Sequence, residues 1–229
     1  MIKKSIPLVC LCLLLCFHSQ AQTVEDIFKN YDMRVTWFGI DYSQCKIIGS
    51  IGSFGGKSPT SPQELRDSYY PAWNQLILSE PEKYNIQSMI HRGSVAKDVS
   101  MVKKLNASVS LDSMEAITTP NYTTTEIQQF ISNYPIDGKT GIGLVFIAES
   151  MDKATDEAYY HVVFFNIETK TVLLQERLKG AAGGFGLRNY WATSISKVMD
   201  YIREDGYYKW QKKYNGKVNN TKSKTAPTW

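Results

Sequence analysis

Three apolar runs set the strongest limit on how this chain can fold. Residues 141–150 (GIGLVFIAES) and 158–167 (AYYHVVFFNI) are rich in β-branched and aromatic residues, and 171–178 (TVLLQERL) follows after only Glu168-Thr169-Lys170. Runs of this composition read as strands. A three-residue link suits a hairpin loop, and short links favour an antiparallel meander. A long helix comes next, because Leu187, Tyr190, Trp191, Ile195, Val198, Met199 and Ile202 fall on one stripe.

The first half of the chain is less regular. Residues 34–41 (RVTWFGID) predict the first strand, which 46–49 continues or repeats. A Gly-, Ser- and Pro-rich loop spans 49–61. Ser61, Pro62 and Glu64 then mark a helix start, with Leu65, Tyr69, Ala72, Trp73, Leu76 and Ile77 at helical spacing. Pro71 falls inside that pattern and predicts a kink or break. Shorter helices are expected at 24–31, 84–91, 95–105 and 126–134, the last capped by Thr124 or Thr125. The expected fold class is α+β. Helices would pack on a mixed, largely antiparallel sheet of about four to five strands, with a C-terminal β-β-β-α unit.

The N-terminus predicts export. Lys3 and Lys4 precede an apolar run from Leu8 to Phe17, and Ser19-Gln20-Ala21 offers the small residues of a cleavage site before Gln22. The run is too short to span a bilayer, which takes roughly 20 apolar residues. Val9 before Cys10 and Leu15 before Cys16 do not suit a lipid-modified cysteine. The expected organisation is a signal peptide at 1–21, one α+β domain at 22–212 and a flexible polar tail at 213–229. Cleavage removes three of the four cysteines and leaves Cys45, so an internal disulfide framework is excluded and packing must supply the stability. Lys plus Arg falls from 26 to 24 against 22 acids, a formal net charge of +2. A near-neutral exported chain is not expected to bind nucleic acid. No later segment is long and apolar enough for a membrane span.

Chemistry-bearing motifs are sparse. The stretch 49–58 (GSIGSFGGKS) approaches a phosphate-binding loop, but Ile51 stands where the first Gly is required and Pro59 blocks the helix that should start there. A second glycine cluster, 180–186, lies between a strand and a helix, where backbone amides can hold an anion. Gly183, Gly184, Gly186, Arg188 and Asn189 are therefore candidate anion or ligand contacts. Turn geometry is the simpler role for the glycines. Asp41 and Glu149 each end an expected strand and are the candidate catalytic pair. On neighbouring parallel strands they could act as the acid and base of a glycan hydrolase. His91 and His161 lack ligand spacing, so no metal is expected. Cys45 has no local nucleophile signature, and no cofactor motif is present.

The segment GFGLRNYWA (184–192), preceded by VVFFNI (162–167), resembles small uncharacterised secreted or periplasmic proteins of Bacteroidota-type Gram-negative bacteria. That resemblance implies a bacterial export compartment and no mechanism. The expected role is a non-enzymatic periplasmic or envelope-associated binding protein, whose partner would be an envelope protein or a glycan. The alternative is the glycan hydrolase.

Overall fold

The computed structural model describes residues 22–54, 60–136 and 138–219, with side chains to residue 214. The expected signal peptide, Gly56-Lys57-Ser58 of the loop motif and the last residues of the expected tail lie outside them. In chain order the elements are α1 (Asp26–Lys29), β1 (Val35–Asp41), β2 (Lys46–Ile48), α2 (Ile51–Phe54), α3 (Pro62–Glu64) and α4 (Tyr70–Ser79). Next come α5 (Ile86–Met89), β3 (Ala96–Lys97), α6 (Ser100–Ala107), β4 (Glu115–Ala116) and α7 (Thr124–Ser132). The chain closes with β5 (Ile142–Asp152), β6 (Glu157–Asn166), β7 (Val172–Ala181), α8 (Leu187–Tyr201) and α9 (Tyr207–Asn219).

The sheet corrects the expected fold class. Among the described residues it has seven strands, and β3-β1-β5-β2-β4 run parallel. Antiparallel pairing is confined to β5 with β6 and β6 with β7. The central strand β5 holds β1 along residues 142–147 and β2 along 150–152 of the same edge, so β1 and β2 lie end to end. The two-residue strands β3 and β4 sit outside β1 and β2 respectively. Strands that short carry no sequence pattern. Parallel neighbours also need long crossovers rather than hairpins, and the helical stretches of the first half supply them.

Helices cover both faces. Trp37, Ile40, Phe146, Tyr160, Val162 and Phe164 face one layer, which holds α1, α4, α5, α8 and α9. Phe38, Val145, Ile147, Val163 and Phe165 face the other, with Met101 and Val102 of α6 and Ile127 and Ile131 of α7. Every residue of β1 is buried, as a parallel strand between two layers demands. Helix starts follow local chemistry. Ser61 Oγ accepts from the Glu64 N–H at 3.1 Å. Thr123, one residue before the expected cap, forms a full capping box with Glu126. Pro71 does not break its helix; a π turn over Leu65–Tyr69 absorbs it.

One strand edge needs side chains to complete it. Outside β1, strand pairing with β3 ends at Trp37↔Lys97. Beyond it, Asn74 of α4 accepts from the Ile40 N–H at 2.7 Å and donates to the Ile40 carbonyl at 2.9 Å. Asn106 of α6 accepts from the Tyr42 N–H at 2.7 Å and donates to the same Ile40 carbonyl at 3.0 Å. Buried backbone groups must be paired, and two carboxamides here stand in for a strand. Gly39 makes room for them: its φ is +98° and a Cβ would sit 2.5 Å from Asn74 Oδ1. Asn74→Ala and Asn106→Ala are each expected to cost about 1–3 kcal/mol, the penalty for stranding a buried donor. Urea unfolding measures it, and losses below about 0.5 kcal/mol in both variants would mean the edge is held some other way.

Candidate functional site

The first candidate, Asp41, closes β1 on the face covered by α7. Its Oδ1 accepts from the Ser43 N–H and its Oδ2 from the Tyr134 hydroxyl, each at 2.7 Å. Burial pushes its carboxyl above the usual range, and the Ser43 and Tyr134 hydrogen bonds draw it part of the way back. A hollow of about 90 Å³ lies beside it, lined by Ser43, Gln44, Phe130 and Tyr134 among others.

Glu149 lies in a denser network. His161 Nε2 is 2.6 Å from Oε2. Arg177 donates from Nε at 3.0 Å and from Nη2 at 2.6 Å, in bidentate fashion. The Tyr122 N–H adds a longer bond at 3.3 Å. Gln175 Nε2 meets His161 Nδ1 at 3.0 Å, so the imidazole is held at both nitrogens. Sheet register explains the assembly: Ile147 pairs with His161 and His161 with Arg177, which sets a row of side chains on one face. Glu149 and His161 are 0% and 1% exposed, whereas Arg177 reaches the surface at 32%. Burial alone would raise the Glu149 carboxyl, but the His161 and Arg177 hydrogen bonds outweigh it and bring it down to about 2.

The two carboxylates lie on neighbouring parallel strands and one face. The register partner of Asp41 is Ile147, two residues short of Glu149. Their partners nevertheless differ: Ser43 and Tyr134 hold Asp41, whereas His161, Arg177 and Tyr122 hold Glu149. The glycine loop belongs to the opposite layer, where the Arg188 carbonyl accepts from Trp73 Nε1 at 2.8 Å. Arg188 and Asn189 are exposed and bond to each other at 3.4 Å. Gly183 donates to the Tyr190 carbonyl at 3.0 Å, while Gly184 and Gly186 take positive φ. Gly180 allows β7 to touch α8, since a Cβ there would lie 2.0 Å from the Ser194 carbonyl oxygen. Turn geometry requires Gly184 and Gly186 and close packing requires Gly180, and Arg188 stands on the far side of the sheet from the carboxylates.

A concave surface of ligand size lies elsewhere, beside the edge that Asn74 and Asn106 complete. It is a groove of about 370 Å³ between α4 and α6, within the usual range for small-molecule sites. Pro71, Ala72 and Val99 supply apolar walls, Lys103 stands at the rim, and the two asparagines lie in the floor. No motif in the sequence marks Asn74, Lys103 or Asn106 as functional residues. The available signal was an Asn on the buried stripe of each helix, Asn74 between Trp73 and Ile77 and Asn106 after Val102, because a buried amide must have a partner. The alternation of Gln175 and Arg177 on β7 was the matching signal for the Glu149 network.

No protein-family model matches the chain, and no curated protein or solved structure matches it either. Among the described residues no group of three or more His, Cys, Asp or Glu could hold a metal ion.

The Glu149 network gives a pH signature. Its carboxyl is depressed below the ordinary 4.5, so the network stabilises the fold above that value and loses its effect as pH falls towards about 2. Glu149→Gln is expected to cost roughly 2–4 kcal/mol at pH 7, with the gap to the parent closing over that window. Denaturant titrations from pH 2 to 7 check it; a gap independent of pH would show that the charge is not the stabilising element. Cys45 is buried at 2% exposure, and burial pushes its thiol well above the usual range. Its labelling by a neutral thiol reagent is expected to follow global unfolding, and rapid labelling of the folded protein would contradict that placement.

Proposed function

We propose that this chain is an exported, non-enzymatic binding protein that works in the periplasm or at the cell envelope. The observation that carries the reading is the state of the two carboxylates, Asp41 at the end of β1 and Glu149 three residues before the end of β5. Asp41 is engaged by Ser43 and Tyr134, and Glu149 by His161, Arg177 and Tyr122. A two-carboxylate hydrolase needs one acid free to protonate a leaving group and one base or nucleophile free to reach the sugar. The groove between α4 and α6 has no acid and no histidine in its wall, and its side chains suit holding rather than reacting. Export rests on the signal-like sequence of residues 1–21. No helix of the described residues is long and apolar enough to cross a membrane.

Two measurements test this. After expression of the full chain in a Gram-negative host, the osmotic-shock fraction is expected to yield a polypeptide starting at Gln22. Recovery of an intact Met1 chain in the cytosol would remove the exported half of the reading. Purified mature protein incubated with peptidoglycan and with soluble glycans is expected to release no reducing ends above a blank. Release that drops 100-fold or more in a folded Asp41→Asn or Glu149→Gln variant would install the hydrolase instead.

A further inference from the structure

The groove beside α6 has a charge and hydrogen-bond pattern that names a ligand class. Val99, the cap of α6, Lys103 and Asn106 recur at four and three residues, so they form one stripe. Facing them, Ser68, Ala72 and Gln75 form the matching stripe across the π turn and α4. Among the residues lining the groove, Lys103 is the single charged side chain, and it makes no hydrogen bond or ion pair with any described residue.

The floor holds a second unspent group. Both N–H groups of Asn74 Nδ2 are used, on the Ile40 carbonyl at 2.9 Å and the Tyr70 carbonyl at 3.3 Å. Asn106 is as deeply buried, at 2% exposure. A carboxamide nitrogen has two N–H donors, yet Asn106 Nδ2 makes one bond, to the Ile40 carbonyl. Its second N–H has no partner among the described residues. Asn106 lines the groove, and its Nδ2 keeps one donor that the protein does not use.

We propose that this groove binds a small monocarboxylate with an apolar body. The carboxylate accepts from Lys103 Nζ and from the free N–H of Asn106. The hydrocarbon part lies against Pro71, Ala72 and Val99. One lysine balances one negative charge, which favours a monoanion over a phosphate dianion. The volume of about 370 Å³ suits a ligand of modest size. The inference rests on the binding-protein reading and adds the ligand class to it.

The test is a titration of ¹⁵N-labelled mature protein with sodium octanoate, with calorimetry alongside. Saturable shifts are expected for amides in 68–75 and 99–106. Lys103→Gln is expected to weaken octanoate binding at least tenfold while the melting temperature is kept, since the side chain is exposed. Ala72→Trp is expected to abolish binding by filling the groove. Octylammonium, with the same chain and the opposite charge, is expected to bind at least tenfold more weakly than octanoate. Absence of saturable shifts, unchanged affinity in Lys103→Gln, equal binding of octylammonium, or shifts centred elsewhere would each overturn the proposal. Such a failure in a protein that releases no glycan ends removes the ligand class alone, whereas glycan release removes the binding-protein reading itself.

Discussion

A buried backbone group must find a hydrogen-bond partner, and β1 has more of them than its outer neighbour can serve. The strand lies between two helical layers, so water cannot fill the gap. Strand β3 contributes two residues and then turns away into α6. Asn74 and Asn106 reach in from opposite layers and meet at the carbonyl of Ile40. That single junction ties α4, α6 and β1 together. It fixes Gly39 as the residue between them and leaves the groove along the same edge.

The second organising element is electrostatic. Glu149 is a charge inside a core, tolerable because His161, Arg177 and Tyr122 all address it. Arg177 carries the opposite charge out to the surface along β7, and its guanidinium lies over the Tyr159 ring, 4.0 Å from the centroid. The network also pins the segment before α7, since the Tyr122 hydroxyl donates to the Gln44 carbonyl at 2.8 Å. Asp41 is handled differently, in a turn that bends the chain from β1 into β2. The two acids, on adjacent strands, thus sit in separate hydrogen-bond networks. Tyr134 meets Asp41 from beyond α7, whereas His161 and Arg177 meet Glu149 from β6 and β7.

What could be read from the sequence follows from how far each signal reaches. The three C-terminal strands and the helix after them were legible because each is long and strongly patterned. The start of the helix at Ser61 was legible because capping is local chemistry. The parallel half of the sheet was not. An apolar run such as 141–150 has the same appearance in a buried hairpin and between parallel neighbours, and β3 and β4 are two residues each. The site had the same limit. Asp41 and Glu149 were noticed by position, but their partners Tyr134, His161 and Arg177 come from distant elements that only the register brings together. Lys103 carries no signal of its own in the sequence, because the facing wall of its groove comes from α4.

The place of β7 in the sheet has a further consequence. It is the terminal strand, ten residues long and paired on one side to β6 alone. Such an edge is a template on which another chain can add a strand. Here it carries Glu176, Arg177 and Lys179, and α9 lays Lys213 against Glu176 at 2.5 Å. An incoming strand would have to displace or bury those charges. The C-terminal helix thus places a charge pair beside the open margin of the sheet, where an added strand would have to break it.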